Sequence, residues 1–252
     1  SVIRNTLECD DTEATINALT ALGATIAVNG AEITVNGIKN APQNAEIDCN
    51  ESGSTLRFIM PIAAAFGVNA SFSGKGKLPS RPITEYFTEL SKNGIIFTAK
   101  EMPYKIEGRL MGGEYRIAGN VSSQFITGLL FALPLLNGDS KIILTSPLES
   151  KPYVDITIAC LNSFGVAVEE TEYGYFVKGN QRYHATDYSV EADYSNAAFF
   201  LVANALGSDV ILENLNEKSV QGDAEIMNVV NSYNGKAFDI SASLSFFATK
   251  RL

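Results

Sequence analysis

Two short polar runs carry residue types that could do chemistry. Ser122-Ser123-Gln124 and Ser150-Lys151-Pro152-Tyr153 lie in one stretch, Gly119 to Asp155, and each stands just ahead of an apolar helical run. Serine at a helix N-cap accepts a hydrogen bond from an orphan backbone N–H, and Pro152 suits the first helical position. The remaining N–H groups and the helix dipole favour negative charge, so two such turns side by side fit a bound phosphate or carboxylate. Ser-rich turns also cap helices that bind nothing. Repetition along the chain is what favours a ligand.

Two more runs have the same character. Glu51-Ser52-Gly53-Ser54-Thr55 is a glycine-containing turn at a helix start, where backbone N–H groups can come close to a ligand. The loop GKGKLPSRP is Gly-rich, basic, and ends at Arg81-Pro82. Arg81 and Lys151 each precede a proline at a helix start, where a cation opposes the dipole and needs a reason. For Arg81 an anionic ligand supplies it, because a guanidinium offers the bidentate geometry that carboxylates and phosphates accept. For Lys151 a solvated side chain explains the position equally well.

The elements that position these runs repeat. Gly23, Gly94, Gly165 and Gly235 each follow a helical pattern and precede a strand-like run, at separations of 71, 71 and 70 residues. Such glycines close helices in the left-handed conformation. The helices they close begin near Asp11, Pro82, Pro152 and Gly222, and a more apolar series begins near Ser54, Ser122 and Ser195. One unit of about 70 residues therefore reads βαβαββ, and a repeat this long is a small domain rather than a solenoid turn. The fold class is α/β, with units clustering through their apolar helices. The first unit is partial: Thr12 to Leu22 is an amphipathic helix, TIAVNGAEITVNG is a hairpin turning at Asn29-Gly30, and the partner helix falls before Ser1. The fourth unit should run through strands at YSVEA and VILENL and then KAFDI, after which the pattern is lost. Residues 1–182 are expected to form one domain and 183–252 an incomplete second one.

Composition narrows the class. With 252 residues, 46% hydrophobic and 19% charged, the chain can bury sizeable cores. A net charge of −9 argues against nucleic acid, which needs a basic footprint, but leaves room for an anionic ligand in a locally basic cleft. The apolar runs Leu56 to Val68 and Phe125 to Leu136 are too short to span a bilayer. Cys9, Cys49 and Cys160 are scattered and have no metal-ligand spacing, which fits a reducing cytoplasm.

ESGSTLRF, LPSRPI, NVSSQFITGLL, LESKPYVDIT, VEADYSNAAFF and VQGD, in this order, resemble the successive blocks of the 3-phosphoshikimate 1-carboxyvinyltransferase (EPSP synthase) family, as far as about Ile240. The resemblance implies an inside-out α/β fold of two domains, each of three βαβαββ units, with substrates at converging helix N-termini. It implies transfer of enolpyruvate from phosphoenolpyruvate to shikimate 3-phosphate, a step of the shikimate pathway to aromatic amino acids, without metal or cofactor. Ser122, Ser123 and Gln124 would bind shikimate 3-phosphate, Gln124 also facing phosphoenolpyruvate. Ser150 would hold the shikimate phosphate, Tyr153 would pack on the shikimate ring, and Gly53 and Arg81 would contact phosphoenolpyruvate.

The chain departs from the family in lacking its N-terminal Lys-Ser pair, its acidic PD block and its C-terminal Arg and Lys blocks. No catalytic residue is assigned, and the chain is expected to be truncated at both ends, to bind shikimate 3-phosphate weakly and to turn over nothing. A cytoplasmic monomer is expected. His184 is read as a surface residue, and Asp155, Asp193 and Asp223 as helix-start acids. One alternative is a UDP-N-acetylglucosamine 1-carboxyvinyltransferase-like enzyme, which normally has a Cys ahead of its Arg-Pro pair; Gly74 to Arg81 contains none. Another is a non-catalytic repeat scaffold such as a ring around DNA, against which the −9 charge speaks.

Overall fold

In the computed structural model, which describes residues 1–233 and 235, a short strand β1 (Val2–Arg4) leads into helix α1 (Asp10–Ala21) and the hairpin β2 (Thr25–Asn29) and β3 (Glu32–Asn36). Two full βαβαββ units follow. The first is β4 (Asn44–Asp48), α2 (Gly53–Phe66), β5 (Asn69–Ser73), α3 (Thr84–Lys92), β6 (Ile95–Ala99) and β7 (Tyr104–Gly108). The second is β8 (Glu114–Ile117), α4 (Ser123–Ala132), β9 (Ser140–Leu144), α5 (Lys151–Ser163), β10 (Glu169–Thr171) and β11 (Gly174–Val177). Each forms one four-stranded sheet of the same order, β4-β5-β7-β6 and β8-β9-β11-β10. In both, the first two strands are parallel, joined across the apolar helix, and the rest antiparallel. The glycines at the repeat period, Gly23, Gly94, Gly165 and Gly235, all have positive φ, between 78° and 102°.

The third sheet gives the partial first unit a strand from much further along the chain. Its order is β12-β1-β3-β2, where β12 (Asp187–Ser189) lies parallel to β1 with Val2 opposite Asp187. The strand expected to open the fourth unit thus completes the first, and it lies beyond residue 182. The second strand expected there, VILENL, does not form. The Asn204 side chain both donates to the Val210 carbonyl and accepts from its N–H, each at 2.8 Å, so that backbone is satisfied without a ladder, and Ile211 is left 84% exposed. Helix α6 (Tyr194–Ala205), a 3₁₀ turn (Gly222–Glu225) and α7 (Ile226–Asn231) complete the described chain; KAFDI lies outside the described residues.

The core forms where α2 meets α4. Both are apolar nearly all round and bury Leu56, Ile59, Met60 and Ala63 against Phe125, Ile126, Leu129 and Leu130. Each such Leu, Ile or Phe contributes about 1.5–3 kcal/mol by leaving water. Gly128 lets the helices touch: a Cβ there would lie 2.2 Å from the Arg57 carbonyl oxygen. That carbonyl is also where Pro61 breaks the ladder, since proline has no N–H to donate four residues back. The Tyr86 hydroxyl of α3, wholly buried, takes that place by donating to the Arg57 carbonyl at 2.7 Å, and it also lies 3.0 Å from the Phe125 carbonyl. One phenol therefore joins three helices at the level of the candidate site.

Candidate functional site

The loops that lead into α4 and α5 are bonded to each other. Glu149 N–H donates to the Gly119 carbonyl at 3.2 Å, Asn120 N–H to Ser146 Oγ at 3.2 Å, and the Ser146 hydroxyl to Asn120 Oδ1 at 2.9 Å. Gly119 permits this approach, because a Cβ there would lie 2.7 Å from two carbonyl oxygens, those of Ser146 and Pro147. A turn deeper, the Thr127 and Thr157 hydroxyls meet at 2.9 Å between the helices. The Ser122 and Ser150 turns therefore stand side by side.

The two serines do different work. Ser122 Oγ caps α4 by accepting from Gln124 N–H at 3.3 Å, with Ser123 buried behind it. Ser150 sits at the N-cap of α5 but makes no capping bond. The reason is local: the helix begins at Lys151, so Pro152 occupies the second position and has no N–H, while Tyr153 N–H donates to the Ser150 carbonyl at 3.2 Å. The Ser150 hydroxyl thus makes no capping bond, contrary to the expectation that both serines cap. Tyr153 is 55% exposed and lines a cleft of ≈ 360 Å³ with Ile156, Tyr188 and Asp193.

The cations gather at α2. Ser52 caps it, accepting from Thr55 N–H at 3.2 Å, and Gly53 opens it. Arg81 lies against this first turn, its Nη1 2.7 Å from where a Cβ on Gly53 would be. One turn along, Arg57 Nη1 donates to Gln124 Oε1 at 2.7 Å and Nη2 to the Pro82 carbonyl at 3.3 Å, and the guanidinium sits 4.9 Å from the centre of the Phe125 ring. Among the described residues neither arginine has a carboxylate partner. Burial, and then the Arg81 charge, hold the Arg57 guanidinium below its usual pKa, although the buried Tyr86 opposes them. Two unpaired cations at one helix N-terminus ask for an anion.

Gly53, Arg81, Ser122, Ser123 and Gln124 are thus brought together through Arg57, with Ser150 in the adjoining turn. Arg57 was missed in the sequence, where it was one charge in a long apolar run; a cation on a buried face is itself the signal. The register that equated Arg81-Pro82 with Lys151-Pro152 does not hold. Arg81, before proline, is extended (φ −80°, ψ 126°) and α3 starts only at Thr84. Lys151 is inside α5 and paired with Asp155 at 2.7 Å and Glu170 at 3.1 Å. Lys151 is thus a 44% exposed cation whose partners are protein carboxylates. Asp193 caps α6, accepting from Ser195 N–H at 2.8 Å, and His184 is exposed.

Comparison with known proteins adds an independent line. The model of the EPSP synthase (3-phosphoshikimate 1-carboxyvinyltransferase) family matches residues 1–242. The 3-phosphoshikimate 1-carboxyvinyltransferase of Clostridium botulinum (strain Alaska E43 / Type E3) is 46% identical over 253 residues, covering 97% of this chain and 58% of that protein. That of Clostridium beijerinckii is 47% identical over 243 residues, covering 91% and 55%. The chain thus spans little more than half the length of these relatives. Among solved structures, EPSP synthase from Acinetobacter baumannii matches with a TM-score of 0.76 at 24% identity, over 92% of this chain and 53% of that one, a likeness of fold. No helix among the described residues is long and apolar enough to cross a membrane. The UDP-sugar alternative finds no support in these relatives, and with the repeated units and the match to nearly its whole length, the chain belongs to the EPSP synthase family.

Proposed function

We propose that this chain carries the shikimate 3-phosphate site and part of the phosphoenolpyruvate site of a 3-phosphoshikimate 1-carboxyvinyltransferase. The observation that carries the reading is the pair Arg57 and Arg81, unpaired by any carboxylate among the described residues, both near the Gly53 turn of α2, with Arg57 bonded to Gln124. Two polyanions must lie side by side for this reaction, which asks for guanidinium groups, hydroxyls and helix N–H groups. Ser122, Ser123, Gln124 and Ser150 would hold shikimate 3-phosphate, with Tyr153 against its ring, while Gly53 and Arg81 contact phosphoenolpyruvate. The substrate 5-hydroxyl adds to C2 of the enolpyruvate as it gives up its proton and the methylene takes one to become a methyl; phosphate then leaves the tetrahedral adduct as that methyl loses a proton, which restores the double bond. The hydrogen bonds of the arginine cluster include no carboxylate or histidine, so this part of the protein binds and aligns. Three free thiols fit a cytoplasmic enzyme, which we take to act as a monomer.

Calorimetric titration of each substrate into the purified chain tests this. Shikimate 3-phosphate should bind weakly, and both substrates together should release no phosphate. Failure of shikimate 3-phosphate to bind, with uptake of a UDP-sugar instead, would reverse the substrate assignment. Released phosphate would mean that the chain holds its own acid and base.

A further inference from the structure

Resting on the substrate reading above, we infer that Arg57 is a positioning residue that fixes which face of the Gln124 amide meets phosphoenolpyruvate. An arginine has five donors and no acceptor, so the Gln124 atom 2.7 Å from Nη1 must be the carbonyl oxygen. The Gln124 NH₂ group is thereby turned away from Arg57 and donates to no protein acceptor among the described residues. It is left to donate to an anion. Rotated by half a turn, the same side chain would offer an oxygen and repel the ligand.

The guanidinium holds this orientation because it is itself fixed on several sides. Nη2 reaches the carbonyl of Pro82, the residue after Arg81, at 3.3 Å, and the plane rests 4.9 Å from the Phe125 ring centre. The backbone of Arg57 is tied by the Tyr86 hydroxyl at 2.7 Å, at the carbonyl that Pro61 leaves without its helical donor. Nε is buried without a partner, so the fork spends its contacts on Gln124 and Pro82. Lysine in this place would keep the charge and most of the stem but could not reach two acceptors in one plane.

The test has a ligand-free arm and a ligand arm. In the ¹H–¹⁵N spectrum of the full chain, the side-chain amide pair of Gln124, assigned by its loss in Gln124→Glu, should be displaced from random-coil values and should collapse toward them in Arg57→Lys. An unmoved pair would overturn the inference whatever the chain binds. In titrations, Arg57→Lys should weaken phosphoenolpyruvate roughly tenfold, the share of one misaligned charge-assisted bond. The same substitution made in Gln124→Ala should add almost nothing, because the group it orients is gone. Equal losses in both backgrounds would show that Arg57 contacts the ligand directly and would overturn the positioning role. Gln124→Glu keeps the acceptor for Arg57 and removes the donor, so it should fold as the parent does and lose phosphoenolpyruvate; parental affinity would also overturn the inference. If the parent chain binds neither substrate, the proposed function fails, and the amide spectrum still decides the role of Arg57.

Discussion

Position 53 has room for a hydrogen and little more, because the Arg81 guanidinium fills the space where a side chain would begin. That exclusion argues for a direct test of the division of labour between the two substrates. Truncating Arg81 to Ala removes charge-assisted bonds and should cost about 1.5–3 kcal/mol in phosphoenolpyruvate binding, roughly 10- to 150-fold in the dissociation constant. Shikimate 3-phosphate should bind nearly as before. Ser150→Ala should show the reverse with a smaller loss, since its hydroxyl caps nothing and the phosphate keeps other donors. Separate titrations of each ligand into each variant decide it; equal losses for both ligands in Arg81→Ala would make the arginine structural. These residues were legible in the sequence because small, hydroxyl and cationic types clustered at helix starts. Arg57 was not, because its role depends on Gln124 and Pro82, 67 and 25 residues away, which only tertiary packing brings near.

At the scale of elements, glycine and proline placed most of the boundaries, and side-chain bonds decided the exceptions. The four periodic glycines have the positive φ their positions required. VILENL has strand composition yet forms no strand among the described residues; at Val210 the Asn204 amide occupies both backbone groups. The contact between α2 and α4 should be intolerant of one methyl group. In Gly128→Ala the new Cβ would meet the Arg57 carbonyl oxygen at 2.2 Å and Tyr86 Oη at 2.4 Å, forcing the helices apart at an overpacking cost of about 1–3 kcal/mol. Gly37→Ala, with open space around it, should be near neutral, and urea midpoints at unchanged slope would compare them. The segment after α6 carries a pH dependence. Burial raises the Glu191 pKa, but the Ser219 hydroxyl and the Gln221 and Asn216 amides, at 2.6 to 2.9 Å, outweigh it and hold the carboxyl below its usual range. A lowered folded pKa gives stability that is present above the unfolded value, about 4.3 for Glu, and is lost as pH falls through the folded one. Amide exchange at Ser219 and Gln221 should therefore show loss of protection below that value beyond the intrinsic change, and Glu191→Gln should abolish the dependence. A parallel acid loss in the variant would assign it to another group.

At the scale of the whole molecule, the closing of the first sheet is what the sequence could not reveal. Periodicity marks a strand near Tyr188, but a three-residue strand has no preference among distant partners, and loop-closure entropy disfavours the pairing that forms, with Val2 against Asp187. In the fold β1 lies between β3 of its own unit and β12. Further bonds extend the junction, from Thr186 N–H to Ser1 Oγ at 3.1 Å and from Val190 N–H to the Arg4 carbonyl at 2.9 Å. The exposed pair of Arg4 with Asp187, at 3.6 Å, adds little. A domain boundary at residue 182 would then sever a sheet. A chain ending at Arg182 should leave β1 at an edge, lose the ladder bonds at about 0.5–1.5 kcal/mol each and exchange the Val2–Arg4 amides faster. A chain ending at Ala192 should keep both protection and midpoint, since it retains β12 and the bonds around it. Hydrogen exchange on the two shortened chains separates the possibilities. Indistinguishable protection would mean that β12 merely lies beside a first domain complete by residue 182, whereas protection only in the longer chain would move the boundary past Val190.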